Sequence, residues 1–191
     1  MKKLLLTVLF CSASIWITNV KAENYKIDTE NAHAFIQFKI KHLGYSWLLG
    51  RFNTFSGEFS YNENSPSDAK VSINIDPASI DSNHAERDKH LRSKDFLNVS
   101  KYPRAHFESK SYKENADGTG VLTGNFTFHG VTKELVIEVA KIGHGADPWG
   151  GYRRGFEGKT SFALKDFGIN YNLGPASKEV ELFLSVEGIR K

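Results

Sequence analysis

Seven histidines, 22 carboxylates and 25 basic side chains are the groups that could do chemistry in this 191-residue chain. Their spacing argues against most of it. His84 and His90 stand six apart, so they do not share a helix face as an i,i+4 metal pair would. His33, His42, His106, His129 and His144 fall at strand ends, turns or strand outsides, where a solvated or hydrogen-bonded histidine is expected. No HExxH run occurs, and no acid cluster has the spacing of a calcium loop. There is no G-x-S-x-G elbow for a serine nucleophile. Asp76, Asp81 and Asp88 are separated by turns and read as caps or ion-pair partners rather than an acid/base couple. The glycine-rich stretch from Gly143 to Gly151 lacks the strand-loop-helix context of a phosphate cradle. Asn98-Val99-Ser100 and Asn125-Phe126-Thr127 match the glycosylation pattern, a frequent chance match and mid-strand in the second case.

The elements that would have to position a site are strands. From Gly118 to Gly143 two segments fold back at His129-Gly130. Leu122, Gly124, Phe126 and Phe128 share one face of the first, and Leu135, Ile137 and Val139 share one face of the second. Period two with one apolar face marks half-buried strands. Gly130 supplies the backbone freedom of a tight hairpin. Ala34, Ile36, Phe38 and Ile40 alternate with Phe35, Gln37, Lys39 and Lys41. Further strands run over Arg51–Tyr61, Val71–Ile75, Ala105–Tyr112, Arg154–Lys165 and Glu179–Ile189, three before and five after one helical stretch. That helix begins at an Asn83 cap, carries an Asp88–Arg92 i,i+4 pair and ends near Lys94. Gly44–Gly50 reads as a loop carrying Tyr45, Trp47, Leu48 and Leu49, either a plug on the core or a lid. The pattern predicts an all-β domain of eight antiparallel strands with one short helix, closed as a barrel or packed as a sandwich. An outer-membrane barrel would turn Phe126 and Phe128 to lipid and fill its lumen with Lys39, Lys41, Glu134, Glu138, Glu181 and Glu187, so a soluble barrel is expected.

Residues 1–22 read as a secretory signal. Met1-Lys2-Lys3 is basic, Leu4–Phe10 is apolar, and Val20-Lys21-Ala22 precedes a cut after Ala22. Removing them takes away Lys2, Lys3 and Lys21, no acid, and the only Cys and Met. The remaining domain, 23–191, has no formal net charge and no thiol. Net charge therefore gives no case for nucleic acid, and stability must come from a core. Phe38, Phe55, Phe59, Phe107, Phe126, Phe128, Phe156 and Phe162 are expected to point inward. An eight-stranded barrel is just wide enough either to be packed solid or to hold one small ligand.

Particular residues carry a family likeness. Tyr25-x-Ile27-Asp28, His33, Phe38, His42-Leu43-Gly44, Gly50-x-Phe52 and Gly57 resemble the opening of the YceI-like family. So do the run Asp88-x-His90-Leu91-Arg92-Ser93-x-Asp95-Phe96-Leu97, Tyr102-Pro103, Phe107 and Leu122-Thr123-Gly124. His129-Gly130-Val131-Thr132-Lys133, Gly155-Phe156, Asp166-Phe167-Gly168 and Val180-Glu181-Leu182 continue the likeness. Lys178 and Ala163-Leu164 depart from the common pattern. The resemblance implies a lipocalin-like eight-stranded barrel in the periplasm that is not an enzyme and carries or sequesters a long-chain polyisoprenoid, such as an isoprenoid quinone or its precursor. On that expectation the pore wall comprises Ala34, Ile36, Phe38, Phe55, Phe59, Phe107, Leu122, Phe126, Phe128, Ile137, Phe156, Phe162 and Leu184. Tyr45, Trp47 and Trp149 form the rim. No cofactor or metal is expected besides the lipid ligand. Partners would be that lipid and, transiently, a membrane or lipid donor, with a homodimer left open. An isoprenoid-modifying or quinone-linked enzyme and a solid-core stress-response protein are the rival readings.

Overall fold

The computed structural model describes residues 22–191. The expected signal, apart from Ala22, lies outside the described residues. Eleven strands and one helix follow one another: β1 (Glu23–Ile27), β2 (Phe35–His42), β3 (Ser46–Phe52), β4 (Phe55–Tyr61), β5 (Lys70–Ile75), β6 (Ile80–Asp81), α1 (Ala85–Arg92), β7 (Ala105–Glu114), β8 (Thr119–Phe128), β9 (Val131–Ala146), β10 (Tyr152–Ala163) and β11 (Glu179–Arg190). Every pairing is antiparallel. Eight strands close a barrel in the order β1-β4-β5-β7-β8-β9-β10-β11, with β11 returning to β1. Closure removes the sheet edges that an open eight-stranded sheet would expose.

The ring is not made of the eight strands read from the sequence. It includes β1, whose five residues are too few to show a period, and it leaves out the Ala34–Ile40 strand. That strand, β2, joins through a fork in β11. Gly188–Arg190 of β11 pair with β1, while Val180–Ser185 pair with β2. The β2–β3 hairpin and the two-residue β6 form a flap hung on the barrel wall.

Three further expectations need correction. Gly44–Gly50 is not a loop: Ser46–Phe52 is a strand, with Lys41 paired to Trp47 and Lys39 to Leu49. Leu43 and Gly44 take φ of 53° and 85°, and the Tyr45 amide donates to the His42 carbonyl at 3.0 Å. Positive φ at both central residues is the tight hairpin geometry that Asn-Gly usually signals, and leucine in the first position hid it. The single strand read over Arg51–Tyr61 is two, broken at Asn53-Thr54. The helix is capped by His84, whose Nδ1 accepts from the Arg87 amide at 3.2 Å, and it ends at Arg92. Asp88 and Arg92 do not pair. Asp88 accepts from the Ser82 amide and hydroxyl, and Arg92 donates to the Ile80 carbonyl. Buried polar groups take the nearest backbone partners, and here those tie α1 to β6. The His129-Gly130 turn is as expected, with φ of 51° and 77° and Phe128 paired to Val131.

Strand registers separate the two barrel ends. At one lie α1, the β8–β9 turn, the Leu164–Phe167 turn and the β2–β3 tip. At the other lie the β7–β8 and β9–β10 turns, the end of β11 and a group of charges.

Candidate functional site

Alternation sends Phe59 and Tyr61 of β4, Leu122 and Phe126 of β8, Leu135, Ile137 and Val139 of β9, Phe156 of β10 and Leu182, Leu184 and Val186 of β11 into the barrel. They surround an axial cavity of about 110 Å³ with an almost wholly hydrocarbon lining. Aromatic rings set its shape. Phe59 stacks on Tyr25 at 4.8 Å and lies over Gly188, where a Cβ would come within 2.4 Å of the Phe59 ring. Phe107 likewise lies over Gly124, with 2.4 Å to a Cβ there. These inward glycines leave room for a neighbouring ring to lie flat against the wall, so any side chain at either position drives that ring into the lumen. Near the helix end Phe126, Phe128, Phe162 and Phe167 pack ring on ring with centroids 4.9–6.1 Å apart.

The other end of the lumen is stoppered by inward-facing charges. Arg154 is 3% exposed. Its Nη1 donates to Glu63 at 2.6 Å, its Nε donates to the Tyr25 hydroxyl at 3.3 Å, and its guanidinium lies 4.5 Å over the Tyr61 ring. Lys141 donates to Glu114 at 2.9 Å and to the Tyr61 hydroxyl at 3.3 Å. Tyr61 and Tyr112 both donate to Glu114. Burial opposes ionisation of Glu114, but hydrogen bonds from Lys141, Tyr61 and Tyr112 outweigh it and hold its pKa below the usual carboxylate value. Glu63 is lowered by Arg154 in the same way, against the effect of burial. Burial, reinforced by Glu114, raises Tyr61 and Tyr112. Glu114 raises Lys141. These shifts keep Glu63, Glu114 and Lys141 ionised and the Tyr61 and Tyr112 phenols neutral around pH 7.

Outside the mouth, Asp28, His33 and Glu187 approach one another within 4.8 Å, a juxtaposition that sequence spacing did not show. Arg153 occupies the centre of this group. Its Nη1 donates to Asp28 at 2.7 Å and to Glu187 at 2.5 Å, and its Nε donates to Asp147 at 2.9 Å. Burial would raise Asp28, yet Arg153, His33 and Asn31 hold it far below the ordinary carboxylate range. A dication here would have to displace the Arg153 guanidinium, which already pairs with Asp28, Glu187 and Asp147.

A YceI-like domain model matches residues 25–188. The chain belongs to the YceI-like family. A UPF0312 protein of Pseudomonas aeruginosa strain LESB58 is 58% identical over 191 residues, covering 100% of both chains. Among solved structures, the YceI protein of Campylobacter jejuni is 26% identical with a TM-score of 0.71, over 96% of this chain and 99% of that one. A polyisoprenoid binding domain from Saccharophagus degradans, implicated in plant cell wall breakdown, superposes with a TM-score of 0.65 at 13% identity, over 87% of this chain and 98% of that one.

The YceI-like barrel brings eight of the expected pore-wall residues to the cavity: Ile36, Phe59, Phe107, Leu122, Phe126, Ile137, Phe156 and Leu184. The other five are elsewhere. Phe128 and Phe162 belong to the aromatic cluster at the helix end. Phe38 packs on Phe52 under the flap, with centroids 5.9 Å apart. Ala34 is buried just before β2, and Phe55 is half-buried opposite Ile75. The expected rim is split between the two ends. Tyr45 and Trp47 lie on the flap hairpin. Trp149 lies on the β9–β10 turn beneath the Arg153 guanidinium, which is 5.3 Å from its ring. The charged layer of Glu63, Glu114, Lys141 and Arg154 went unread in the sequence. Its signal was there, since Arg154 falls in phase with Phe156 and Phe162, and Lys141 in phase with Ile137 and Val139.

Proposed function

We propose that the barrel binds a long-chain isoprenoid lipid along its axis, and that the protein is a periplasmic carrier or sequestering protein for a molecule such as an isoprenoid quinone or its precursor. The observation that carries this is the axial, hydrocarbon-lined cavity inside a closed barrel. The solved relative described as a polyisoprenoid binding domain supports the same ligand class, and the residue 1–22 signal supports export. Burial drives the binding. At about 0.8 kcal/mol per CH₂, each five-carbon isoprene unit taken from water contributes about 4 kcal/mol before the cost of ordering the chain. The cavity of about 110 Å³ is smaller than the roughly 150 Å³ engineered cavity that takes one benzene. A long chain therefore enters by displacing the leucine, valine and phenylalanine side chains that now fill the tube.

The charged layer favours a binding role over catalysis. A general acid or base works best with a pKa near neutrality. Here the carboxylates are pushed down and the phenols and lysine up, and each is already hydrogen-bonded. The test is native mass spectrometry of the exported protein from its own cells, with lipid identification by mass after extraction. A co-purifying isoprenoid lipid is the expected result. Protein that carries none, and takes up no added quinone, would overturn the reading.

A further inference from the structure

The flap carries a feature that neither the core nor the lumen explains. Strand β3 is apolar on both faces. Leu48 and Phe52 turn inward and pack on the core. Trp47 and Leu49 turn outward, 46% and 64% exposed, and the turn beside them adds Leu43 at 56% and Tyr45 at 89%. An exposed strand face is ordinarily polar, so four large apolar side chains on one protruding hairpin are a patch rather than scatter.

The cations around it are not used up by the fold. Across the flap and its neighbours, Lys39, Lys41, Arg51 and Lys178 stand against Glu179, Glu181 and Asp81. Lys39 is held by Glu181 and Arg51 by Asp81. Lys41 and Lys178 make no ion pair among the described residues, and both sit against the apolar tip. The Ser177 hydroxyl accepts from the Leu43 amide and donates to the Lys41 carbonyl, which places Lys178 beside the turn. Lys41 also lies 5.6 Å over the Trp47 ring. At the opposite end Arg153, Arg154, Lys141, Arg190 and Lys191 are all held by carboxylates.

We propose that the β2–β3 hairpin docks on an anionic lipid surface, with Leu43, Tyr45, Trp47 and Leu49 entering the headgroup boundary and Lys41 and Lys178 meeting the lipid phosphates. Tryptophan and tyrosine are the side chains that settle at such a boundary, and lysine reaches back from it to the charged layer. A second copy of the chain fits the patch less well, because a two-fold contact there would set Lys41 and Lys178 against their own like charges. The proposal is independent of which molecule fills the barrel.

The experiment is co-sedimentation of the processed protein, which retains every strand and the helix, with vesicles of phosphatidylethanolamine and phosphatidylglycerol and with neutral phosphatidylcholine vesicles. Binding to the anionic vesicles is expected, with at least about a tenfold fall in partition for Leu43→Ser combined with Leu49→Ser. Lys41→Glu with Lys178→Glu should lose the preference for anionic over neutral vesicles. Brominated lipid should quench wild-type fluorescence more than that of Trp47→Phe. Val136→Ser, which removes an exposed apolar residue of β9 outside the flap, should bind as the wild type does. The proposal fails if the protein ignores anionic vesicles, if the flap variants bind as well as the wild type, or if the patch instead holds a dimer that Tyr45→Ser splits without any vesicle binding.

Discussion

Gly158 offers the sharpest test of whether the lumen can yield. It lies on β10 in the cavity wall, opposite Val139 and Leu184. A Cβ there would stand 3.2 Å from Ile137 Cγ2 and from Leu184 Cδ1, tight contacts against the ends of side chains that can turn. In Gly158→Leu the remaining carbons enter the cavity. Burying three of them contributes about 2 kcal/mol at about 0.8 kcal/mol each. Overpacking costs about 1–3 kcal/mol, and replacing a strand glycine returns about 0.5–1 kcal/mol through the unfolded state. Stability in urea unfolding should therefore lie between about 0.5 kcal/mol below and about 2 kcal/mol above wild type. Ligand affinity should not survive. Each isoprene unit kept out forfeits about 4 kcal/mol, close to a thousandfold in Kd, readable by titrating a quinone against intrinsic fluorescence. A folded Gly158→Leu protein that binds as the wild type does would refute a lumen site. A variant that fails to fold would also refute the reasoning, because a tube that cannot admit one leucine cannot admit a lipid chain.

Other outcomes follow from the same geometry. Phe126→Ala removes a ring packed on Phe128, Phe162 and Phe167 and should cost about 3–5 kcal/mol without ligand, with thermal melting showing a larger rise on adding quinone than the wild type gives. Arg154→Met should cost about 1–3 kcal/mol in urea unfolding. That is less than breaking a fully buried pair, because the Glu63 side chain is 46% exposed and can return to water. Asp28, Glu63 and Glu114 all have folded pKa values below their unfolded ones, so their contribution is complete above the ordinary glutamate value of 4.5 and is lost as pH falls through the folded values. Melting temperature should fall steadily below that pH, and a melting temperature that held constant into strong acid would contradict the network. Zinc should leave the wild-type melting temperature unchanged but raise that of Arg153→Ala, where Asp28, His33 and Glu187 lose the guanidinium between them.

Much of the wall was legible because period two is a direct consequence of strand geometry: Leu122, Phe126 and Ile137 announce their face without any tertiary knowledge. What stayed hidden depended on contacts between distant segments. Strand β1 is short and takes its place from β4 and β11 at once. Strand β3 was concealed by Leu43-Gly44, a turn lacking the asparagine that usually marks one, and by an outer face too apolar for a solvent-facing strand. The charged stopper was hidden because Glu63, Lys141 and Arg154 come from separate strands and connections, and their meeting is a matter of ring closure. The fork in β11 likewise has no local signature, since Val180–Arg190 reads as one regular strand whichever partners it takes.

The most direct test of the lumen claim is the site of covalent capture by a photoactivatable isoprenoid, mapped by peptide mass spectrometry on the intact protein. Adducts are expected on the cavity wall, at Phe126, Leu135, Ile137 and Leu184, and should be lost in Gly158→Leu. Adducts confined to the outer face at Tyr45, Trp47 and Leu49, unchanged in that variant, would contradict that claim.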